Sequence, residues 1–158
     1  MSSEKIYESK IIDVTFGVDV TIINPVNIYE CFIGDKAFIG PFVEIQKGVS
    51  IGAGSKIQSH TFICELVEIG EHCFVGHGVM FVNDLFKEGA PAKGNRSLWK
   101  STRIESNVSI GSNATILPVF ICSNTVVGAG SVVTKDIVVP GVYAGNPAKL
   151  IRKVIFDR

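Results

Sequence analysis

The sequence has no net charge, no long apolar run and no paired cysteine motif. It has 15 Lys and Arg residues against 15 Asp and Glu residues. This balance argues against a basic surface for nucleic acid and against a polybasic run for an anionic membrane. No apolar run approaches the roughly 20 residues that cross a bilayer, and the first residues lack the apolar core of a signal peptide. We therefore expect a cytoplasmic protein with no nucleic-acid partner and no membrane insertion.

Cysteine is scarce, and no two of the four cysteines form a CxxC pair. Cys31 and Cys73 occupy slots that small or β-branched residues otherwise fill, which indicates reduced structural thiols. The length of 158 residues suits one domain, covering residues 1–158, with a substantial core.

A period of six residues dominates the chain. Large apolar residues keep this period from position 33 to position 81: Ile33, Ile39, Ile45, Ile51, Ile57, Ile63, Ile69, Val75 and Phe81. The residue two positions before each of them is small or β-branched. A helix repeats every 3.6 residues and a strand every 2, so a period of six predicts an all-β parallel β-helix made of hexapeptides. Three hexapeptides make one triangular coil, and each coil is stabilised chiefly by its neighbours.

The period is interrupted in three places. Residues 1–30 contain apolar positions out of register with Ile33, which predicts an irregular first coil. Residues 83–103 are rich in Gly, Pro, Asn and basic side chains and predict a protruding loop. The period resumes at Ile104, slips by one residue before Ile121, and ends in a tail over residues 140–158 that we expect to cap the last coil.

Several longer runs resemble one enzyme family. Together with the hexapeptides, these runs are KIQSHTFICELVEIG, GHGVMFVND, IGSNATILP, VVGAGSVVTKD and PGVYAGNPAKLIRK. They resemble the left-handed β-helix acyltransferases and, among these, the bacterial sugar-nucleotide N-acetyltransferases that acetylate amino sugars for surface polysaccharides. The resemblance implies left-handed coiling, acetyl-CoA as cosubstrate, a dTDP- or UDP-linked 3-amino-deoxy sugar as acceptor, and a homotrimer with its sites between subunits.

Outward-facing aromatic positions are compatible with such a trimer. Taking every third hexapeptide as one face puts Phe38 and Phe74 on one face, and Phe62 and Met80 on the next. Exposed apolar side chains stacked in this way need cover. The third face, with Phe32, Ser50 and Glu68, is more polar.

Three residues are candidates for catalysis. The resemblance assigns Asn83 the role of holding the acceptor amine, while the departing CoA thiolate takes the proton. Without the resemblance, Asn83 and Asp84 would be read as residues that cap a turn. His60 and His77 are predicted near one corner on adjacent coils, within reach of each other, and a histidine base would suit an alternative activity, the O-acetylation of a sugar or small alcohol.

Further residues are candidates for binding. The expected substrate contacts are Glu44, Gln46, Gln58, Asp84, Arg96 and Trp99. For acetyl-CoA, the resemblance implies backbone amides around Ala114, Ala129 and Thr134, with Lys135, Lys149 and Arg152 meeting the phosphates.

The sequence is also compatible with two further classes of protein. His72 and His77 are five residues apart, and β-helix carbonic anhydrases share a zinc ion among three histidines of two subunits at a similar spacing. The loop and tail favour a CoA enzyme, so we expect no metal. A non-catalytic hexapeptide scaffold is the other class, and the specific tail disfavours it.

Overall fold

The computed structural model describes residues 7–154 of the chain. These residues form short β-strands with one turn of 3-10 helix at Arg96–Leu98. The strands are β1 Ile11–Ile12, β2 Thr15–Phe16, β3 Thr21–Ile22, β4 Asn27–Tyr29, β5 Phe32–Ile33, β6 Phe38–Ile39, β7 Glu44–Ile45, β8 Ser50–Ile51, β9 Lys56–Ile57, β10 Phe62–Ile63, β11 Val67–Ile69, β12 Phe74–Val75, β13 Met80–Phe81, β14 Thr102–Ile104, β15 Ser109–Ile110, β16 Thr115–Ile116, β17 Phe120–Ile121, β18 Val126–Val127, β19 Val132–Val133, β20 Val142–Ala144 and β21 Lys149–Arg152. None of the helical structure in residues 7–154 is long or apolar enough to traverse a lipid bilayer.

The strands are arranged in three sheets, one for each side of a triangular coil. Face A is β1-β4-β7-β10-β13-β16-β19, face B is β2-β5-β8-β11-β14-β17, and face C is β3-β6-β9-β12-β15-β18-β20-β21. Up to β20, each strand pairs in parallel with the strand one coil later. The architecture is the predicted left-handed parallel β-helix. We call the turns from face A to B, from B to C and from C to A corners AB, BC and CA.

The core is a set of columns along the helix axis. On face A, Ile28 is in register with Ile45, and Ile45 with Ile63, and all three side chains are fully buried. The small inward positions include buried hydroxyls that find partners. Ser55 Oγ donates to the carbonyl oxygen of Gly70 at 2.8 Å, and Thr61 Oγ1 donates to that of Gly76 at 3.0 Å. The stack therefore excludes water without leaving these groups unpaired.

The outward faces agree with the prediction. Phe62 and Met80 are direct neighbours on face A. Phe38 and Phe74 both lie on face C, with the strand that contains Lys56 between them. Face B does carry Ser50 and Glu68, and it also carries Phe32, which is 44% exposed.

Corner AB is where the coils vary in length. Ile28 and Ile33 are five residues apart across it, as are Ile116 and Ile121, whereas a full hexapeptide would put them six apart. The same corner gives rise to the long loop. Strand β14 begins at Thr102, so the loop covers residues 82–101 and is slightly shorter than predicted.

The first coil is more regular than we expected. Strands β1, β2 and β3 each pair in parallel with the strand one coil later. The apparent loss of register before Ile33 comes from the five-residue spacing at corner AB. The first six residues of the predicted coil lie outside the described range.

The tail ends in a hairpin on face C. Strand β20 adds to β18 in parallel, and β21 turns back to pair with β20 in the antiparallel direction. Tyr143 is in register with the buried Val127 and packs against the core, and its hydroxyl donates to the carbonyl oxygen of Val139 at 2.8 Å. The hairpin thus covers part of the final coil. Residues 155–158 of the predicted tail lie outside the described range.

We expect Gly52→Ala to destabilise the β-helix more than Gly130→Ala. A Cβ at Gly52 would lie 2.4 Å from the carbonyl carbon of Gly70 in the next coil, so two hydrogen-bonded coils must separate. Overpacking of this kind should lower the free energy of unfolding by about 2–3 kcal/mol. Gly130 has a φ of +68° with open space around it, so alanine there costs only backbone strain, about 1 kcal/mol. Urea unfolding of both variants measures the difference, and equal losses would mean that the coils separate easily.

Candidate functional site

A groove of about 400 Å³ lies at corner AB, beneath the loop of residues 82–101. Its lining includes Tyr29, Gln46 and Glu65 from successive coils, and Asn83, Phe86 and Trp99 from the loop. Tyr29 and Gln46 each follow a buried isoleucine of face A directly, so they stack at the same outward slot. Glu65 and Asn83 both lie two residues after a buried residue of that face, one coil apart. We call this cavity the AB groove.

Glu65 joins the coil to the loop. The Asn83 side-chain amide donates to the backbone carbonyl of Glu65 at 3.2 Å, which orients the amide and turns its oxygen away from that bond. Arg96 Nη2 lies 2.6 Å from Glu65 Oε2, and the Arg96 guanidinium lies 6.0 Å from the centre of the Trp99 ring. The ion pair is not aligned as a hydrogen bond. Glu65 Oε2 is therefore buried without a hydrogen-bond donor among the described residues.

Apolar side chains supply most of the lining of the AB groove, and Gln46, Glu65 and Asn83 supply hydrogen-bond acceptors among them. Gln46 Nε2 donates to Glu44 Oε1 at 3.1 Å, and Gln46 Oε1 accepts from the backbone N–H of Glu65 at 3.3 Å. Burial raises the pKa of the Tyr29 phenol, and the carboxylates of Glu44, Glu65 and Glu30 raise it further, against a smaller lowering by its hydrogen bond with Gln46. Tyr29 therefore stays neutral. Burial also raises the pKa of the Cys64 thiol in this groove to about 12, so Cys64 is not a nucleophile at neutral pH.

Asp84 organises the loop. Its carboxylate accepts the backbone N–H of Phe86 at 2.9 Å and that of Ala92 at 2.7 Å. Each bond uses a different carboxylate oxygen of Asp84. Both bonds are those of a residue that caps a turn, which is the role that the sequence predicts for Asp84 when the family resemblance is left aside. Trp99 lines the AB groove, and Arg96 contacts its lining residue Glu65, so a role of both in substrate binding stays a prediction.

The histidines lie away from Asn83. His60 and His77 are both at corner CA, the opposite edge of face A from Asn83. Nδ1 of His77 lies 2.8 Å from Ser59 Oγ, and the His60 ring stacks on Phe42 with 4.9 Å between ring centres. No hydrogen bond joins the two histidines in the described structure, so their expected contact is not formed. Within one subunit, Asn83 and His77 cannot act on the same atom.

The remaining substrate candidates are divided in the same way. Gln58 lies at corner CA, Gln46 at corner AB and Glu44 on face A between them. His72 lies at corner BC, a full face away from His77. Residues 7–154 hold no cluster of three or more His, Cys, Asp or Glu side chains that could bind a metal ion.

The predicted CoA residues fall into two groups. Ala129 is exposed at corner CA, near the C-terminal hairpin, whereas Thr134 and Lys135 are exposed at corner AB. Ala114 is buried, its carbonyl accepts from Met80 N at 3.0 Å, and its N–H makes a 3.4 Å turn bond to Gly111. The backbone of Ala114 itself is therefore engaged within the coil, and the role predicted for the amides around it stays a prediction.

Lys149 and Arg152 point to the same side of the hairpin. Three residues apart in a regular strand, they would point to opposite sides. The register with β20 shifts, however: Ala144 opposes Lys149, Tyr143 opposes Leu150, and Val142 opposes Arg152. Since Val142 and Ala144 share one face of their strand, this bulge turns both basic side chains outward from face C.

Two functional candidates were missed in the sequence, Tyr29 and Glu65. The signal was present, because Glu65 occupies the slot of Asn83 one coil earlier. The role of Glu65 could not be predicted, because it depends on an ion pair with Arg96. Arg96 lies in the loop, outside the six-residue period, so the sequence does not indicate where its side chain lies.

Family models match two parts of the chain. The bacterial transferase hexapeptide (six repeats) matches residues 30–65, and the hexapeptide repeat of succinyl-transferase matches residues 101–135. Among curated proteins, the bifunctional protein GlmU of Streptococcus agalactiae is 30% identical over 145 residues, which are 87% of this chain and 31% of that protein. GlmU of Saccharophagus degradans is 40% identical over 105 residues, 66% of this chain and 21% of that protein. The chain therefore spans about a fifth to a third of these relatives.

Solved structures share most of the fold. A hexapeptide-repeat acetyltransferase of Vibrio cholerae, in complex with acetyl-CoA, is 26% identical with a TM-score of 0.66, covering 78% of this chain and 71% of that one. A variant of AntD, an N-acyltransferase of Bacillus cereus, in complex with dTDP and CoA, is 22% identical with a TM-score of 0.77, covering 88% and 82%.

Proposed function

Because the chain is a hexapeptide-repeat protein of the left-handed β-helix acyltransferases, we propose that it moves an acetyl group from acetyl-CoA to the amine of a nucleotide-linked amino sugar. A dTDP- or UDP-linked 3-amino-deoxy sugar destined for a surface polysaccharide is the acceptor that we favour. The fold similarity to an N-acyltransferase crystallised with dTDP and CoA, and to an acetyltransferase bound to acetyl-CoA, supports this choice.

The observation that carries the proposal is the excess of acceptors in the AB groove. Among residues 7–154, Glu65 Oε2 is buried without an aligned hydrogen-bond donor, Glu44 lies nearby, and the half-exposed Arg96 is the cation that pairs with Glu65. Such a groove favours a ligand that brings hydrogen-bond donors together with a positive charge. An amino sugar brings both in its ammonium form, which loses one proton before it attacks, whereas a sugar hydroxyl brings a donor without a charge.

Asn83 is suited to hold the acceptor amine. The bond from its side-chain amide to Glu65 leaves the Asn83 Oδ1 atom to accept an N–H of the amine, so the amine lone pair can be directed at the acetyl donor. Bound acetyl-CoA supplies an activated acetyl thioester and a thiolate leaving group. The residues of this chain then need only to position the amine and exclude water.

One observation favours O-acetylation as a second candidate. The contact between His77 Nδ1 and Ser59 Oγ fixes the His77 ring at corner CA. If Nδ1 carries the proton that it donates to Ser59, Nε2 is left free as a base for a hydroxyl acceptor.

We further propose a homotrimer in which faces A and C of one subunit lie beside its neighbours. Asn83 and the histidines are on opposite edges of face A, so a neighbouring copy would be needed to bring an AB groove and a corner CA together. Phe74 and Met80 are each more than 40% exposed, as expected of side chains that another copy covers.

Phe74→Glu should dissociate the trimer, because an unpaired charge is costly within an apolar interface. The matched control is Phe32→Glu on face B, where the phenylalanine is equally exposed but the surface is more polar. Light scattering should give a trimer for the wild type and the control, and a smaller species for Phe74→Glu. A fully active monomeric wild type would exclude a site shared between subunits.

Asn83→Ala should lower kcat with a UDP- or dTDP-linked amino sugar by about a hundredfold, and more than His77→Ala or His60→Ala does. Loss of a positioning contact affects the reaction strongly when the leaving thiolate accepts the proton. Thiol release, with mass spectrometry of the acetylated product, measures the rate.

The control acceptor is the corresponding nucleotide-linked sugar with a hydroxyl in place of the amine. The proposed function requires acetylation of the amine alone. Preferential transfer to the hydroxyl, with Asn83→Ala nearly silent and His77→Ala inactive, would establish the O-acetyltransferase instead.

Lys149→Glu or Arg152→Glu should raise the KM for acetyl-CoA about tenfold, because both cations lie outward on the hairpin and in our proposal meet its phosphates. The KM for the sugar nucleotide should hardly change, and the effect should shrink with 3′-dephospho-acetyl-CoA. Lys36→Glu, an exposed lysine far from the hairpin, is the control. An equal effect with both forms of the cosubstrate would indicate that the hairpin is only a structural cap.

A further inference from the structure

Phe42 occupies an unfavourable position at corner CA. Its side chain is 57% exposed and its φ is +60°, a left-handed conformation that a bulky residue rarely adopts. The equivalent residue of the next coil is His60, which is also left-handed at +63°, and those of the later coils are Gly78, Asn113 and Gly130, which tolerate this conformation at less cost. An exposed aromatic side chain is thus placed where a smaller residue would be more stable, a pattern typical of functional positions.

The Phe42 ring has one neighbour and one open side. Towards the C-terminal coils it stacks on His60, with 4.9 Å between ring centres and 28° between their planes. Towards the N-terminal coil it lines a groove of about 230 Å³, together with Pro25, Val26 and Asn27. An aromatic platform beside an open groove suits a flat ligand.

The groove ends in two polar side chains. Asn27 and Glu44 are direct neighbours on face A, and both are half-buried. Asn27 offers an amide that can donate and accept, and Glu44 offers a carboxylate that accepts. Together they complement an edge on which an N–H donor stands beside a carbonyl acceptor.

We propose that this corner binds the pyrimidine base of the nucleotide-linked acceptor. Uracil or thymine would stack on Phe42, its N3–H would donate to Glu44, and one of its carbonyl oxygens would accept from the Asn27 amide. The proposal rests on the proposed function for the identity of the acceptor, and it assigns the base to residues that are distinct from the amine-binding Asn83.

The position in the stack agrees with this assignment. Coils are about 4.8 Å apart, so Phe42 lies about 10 Å along the axis from the coil that contains His77 and Asn83. Because Phe42 is at corner CA and Asn83 is at corner AB, the acceptor would bind with its base on one subunit and its amine in the AB groove of the neighbouring subunit of the proposed trimer. The cations for acetyl-CoA are on the C-terminal hairpin, in the opposite direction. The donor and acceptor nucleotides would therefore approach the reacting coil from opposite ends and would not compete.

The test is calorimetric titration of the intact protein with UDP, dTDP and CDP in the absence of acetyl-CoA. The wild type should bind UDP and dTDP more tightly than CDP, whose N3 carries no proton. Phe42→Ala should weaken UDP and dTDP binding about tenfold, the scale of one lost base-stacking contact. Phe42→Tyr should restore it, Asn27→Leu should reduce the preference over CDP, and the control Phe32→Ala on face B should bind as the wild type does.

Several results would overturn the assignment. These are unchanged nucleotide binding by Phe42→Ala, no binding of UDP or dTDP by the wild type, and equal binding of CDP. A smaller species for Phe42→Ala in light scattering would identify Phe42 as a subunit contact instead. If the base binds through Phe42 but no amine is acetylated, the proposed function is wrong and the base site stands. If an amine is acetylated but Phe42→Ala does not change the KM for the sugar nucleotide, the base site is wrong and the proposed function stands.

Discussion

The backbone hydrogen bonds between successive coils are the constraint on which the whole structure depends. At corner BC they run from the Gly34 N–H to the Ile51 carbonyl, from Gly52 to Ile69, and from Gly70 to Ile104, each at 2.8 Å. Because every coil is bonded to the coil above and below it, the spacing between coils is uniform and the corners approach closely. A Cβ at Gly52 would overlap backbone atoms of Gly70 for this reason. The same spacing places the side chains at one outward position of successive coils directly above one another. A functional site can therefore be formed by residues from several coils.

Corner AB is the point at which this regular stack admits variation. Coils are one residue shorter there in three places, between Ile11 and Phe16, between Ile28 and Ile33, and between Ile116 and Ile121, and the loop of residues 82–101 leaves and returns at the same corner. The insertion does not disturb the core, because Phe81 and Ile104 continue their columns fully buried on either side of it. The loop is instead held from outside, by the bond from Asn83 to the Glu65 carbonyl and the ion pair between Arg96 and the Glu65 carboxylate. A single residue of the regular stack thus carries both attachments and creates the AB groove.

The chemistry that we propose follows the axis of the stack. The C-terminal hairpin presents Lys149 and Arg152 outward, the AB groove in the middle presents acceptors for an amine, and the stack of Phe42 on His60 lies towards the N-terminal coil. A β-helix suits a reaction between two nucleotide-linked substrates because its length separates their binding sites while its rigid columns keep the reacting groups in register.

The sequence by itself determined which residues are inside, which are outside and which coil each belongs to. The columns through Ile33, Ile39 and Ile45, and the pairing of Phe62 with Met80, follow from the period of six, because burial of the large aliphatic side chains allows only one register. Side-chain partners at the corners were decided by the tertiary structure alone. Asp84 contacts its own loop, His77 contacts Ser59, and a bulge turns Lys149 and Arg152 to one side. These contacts depend on the path of a loop and on a register shift in a hairpin, and neither leaves a trace in the apolar pattern, since neither changes what is buried in the core.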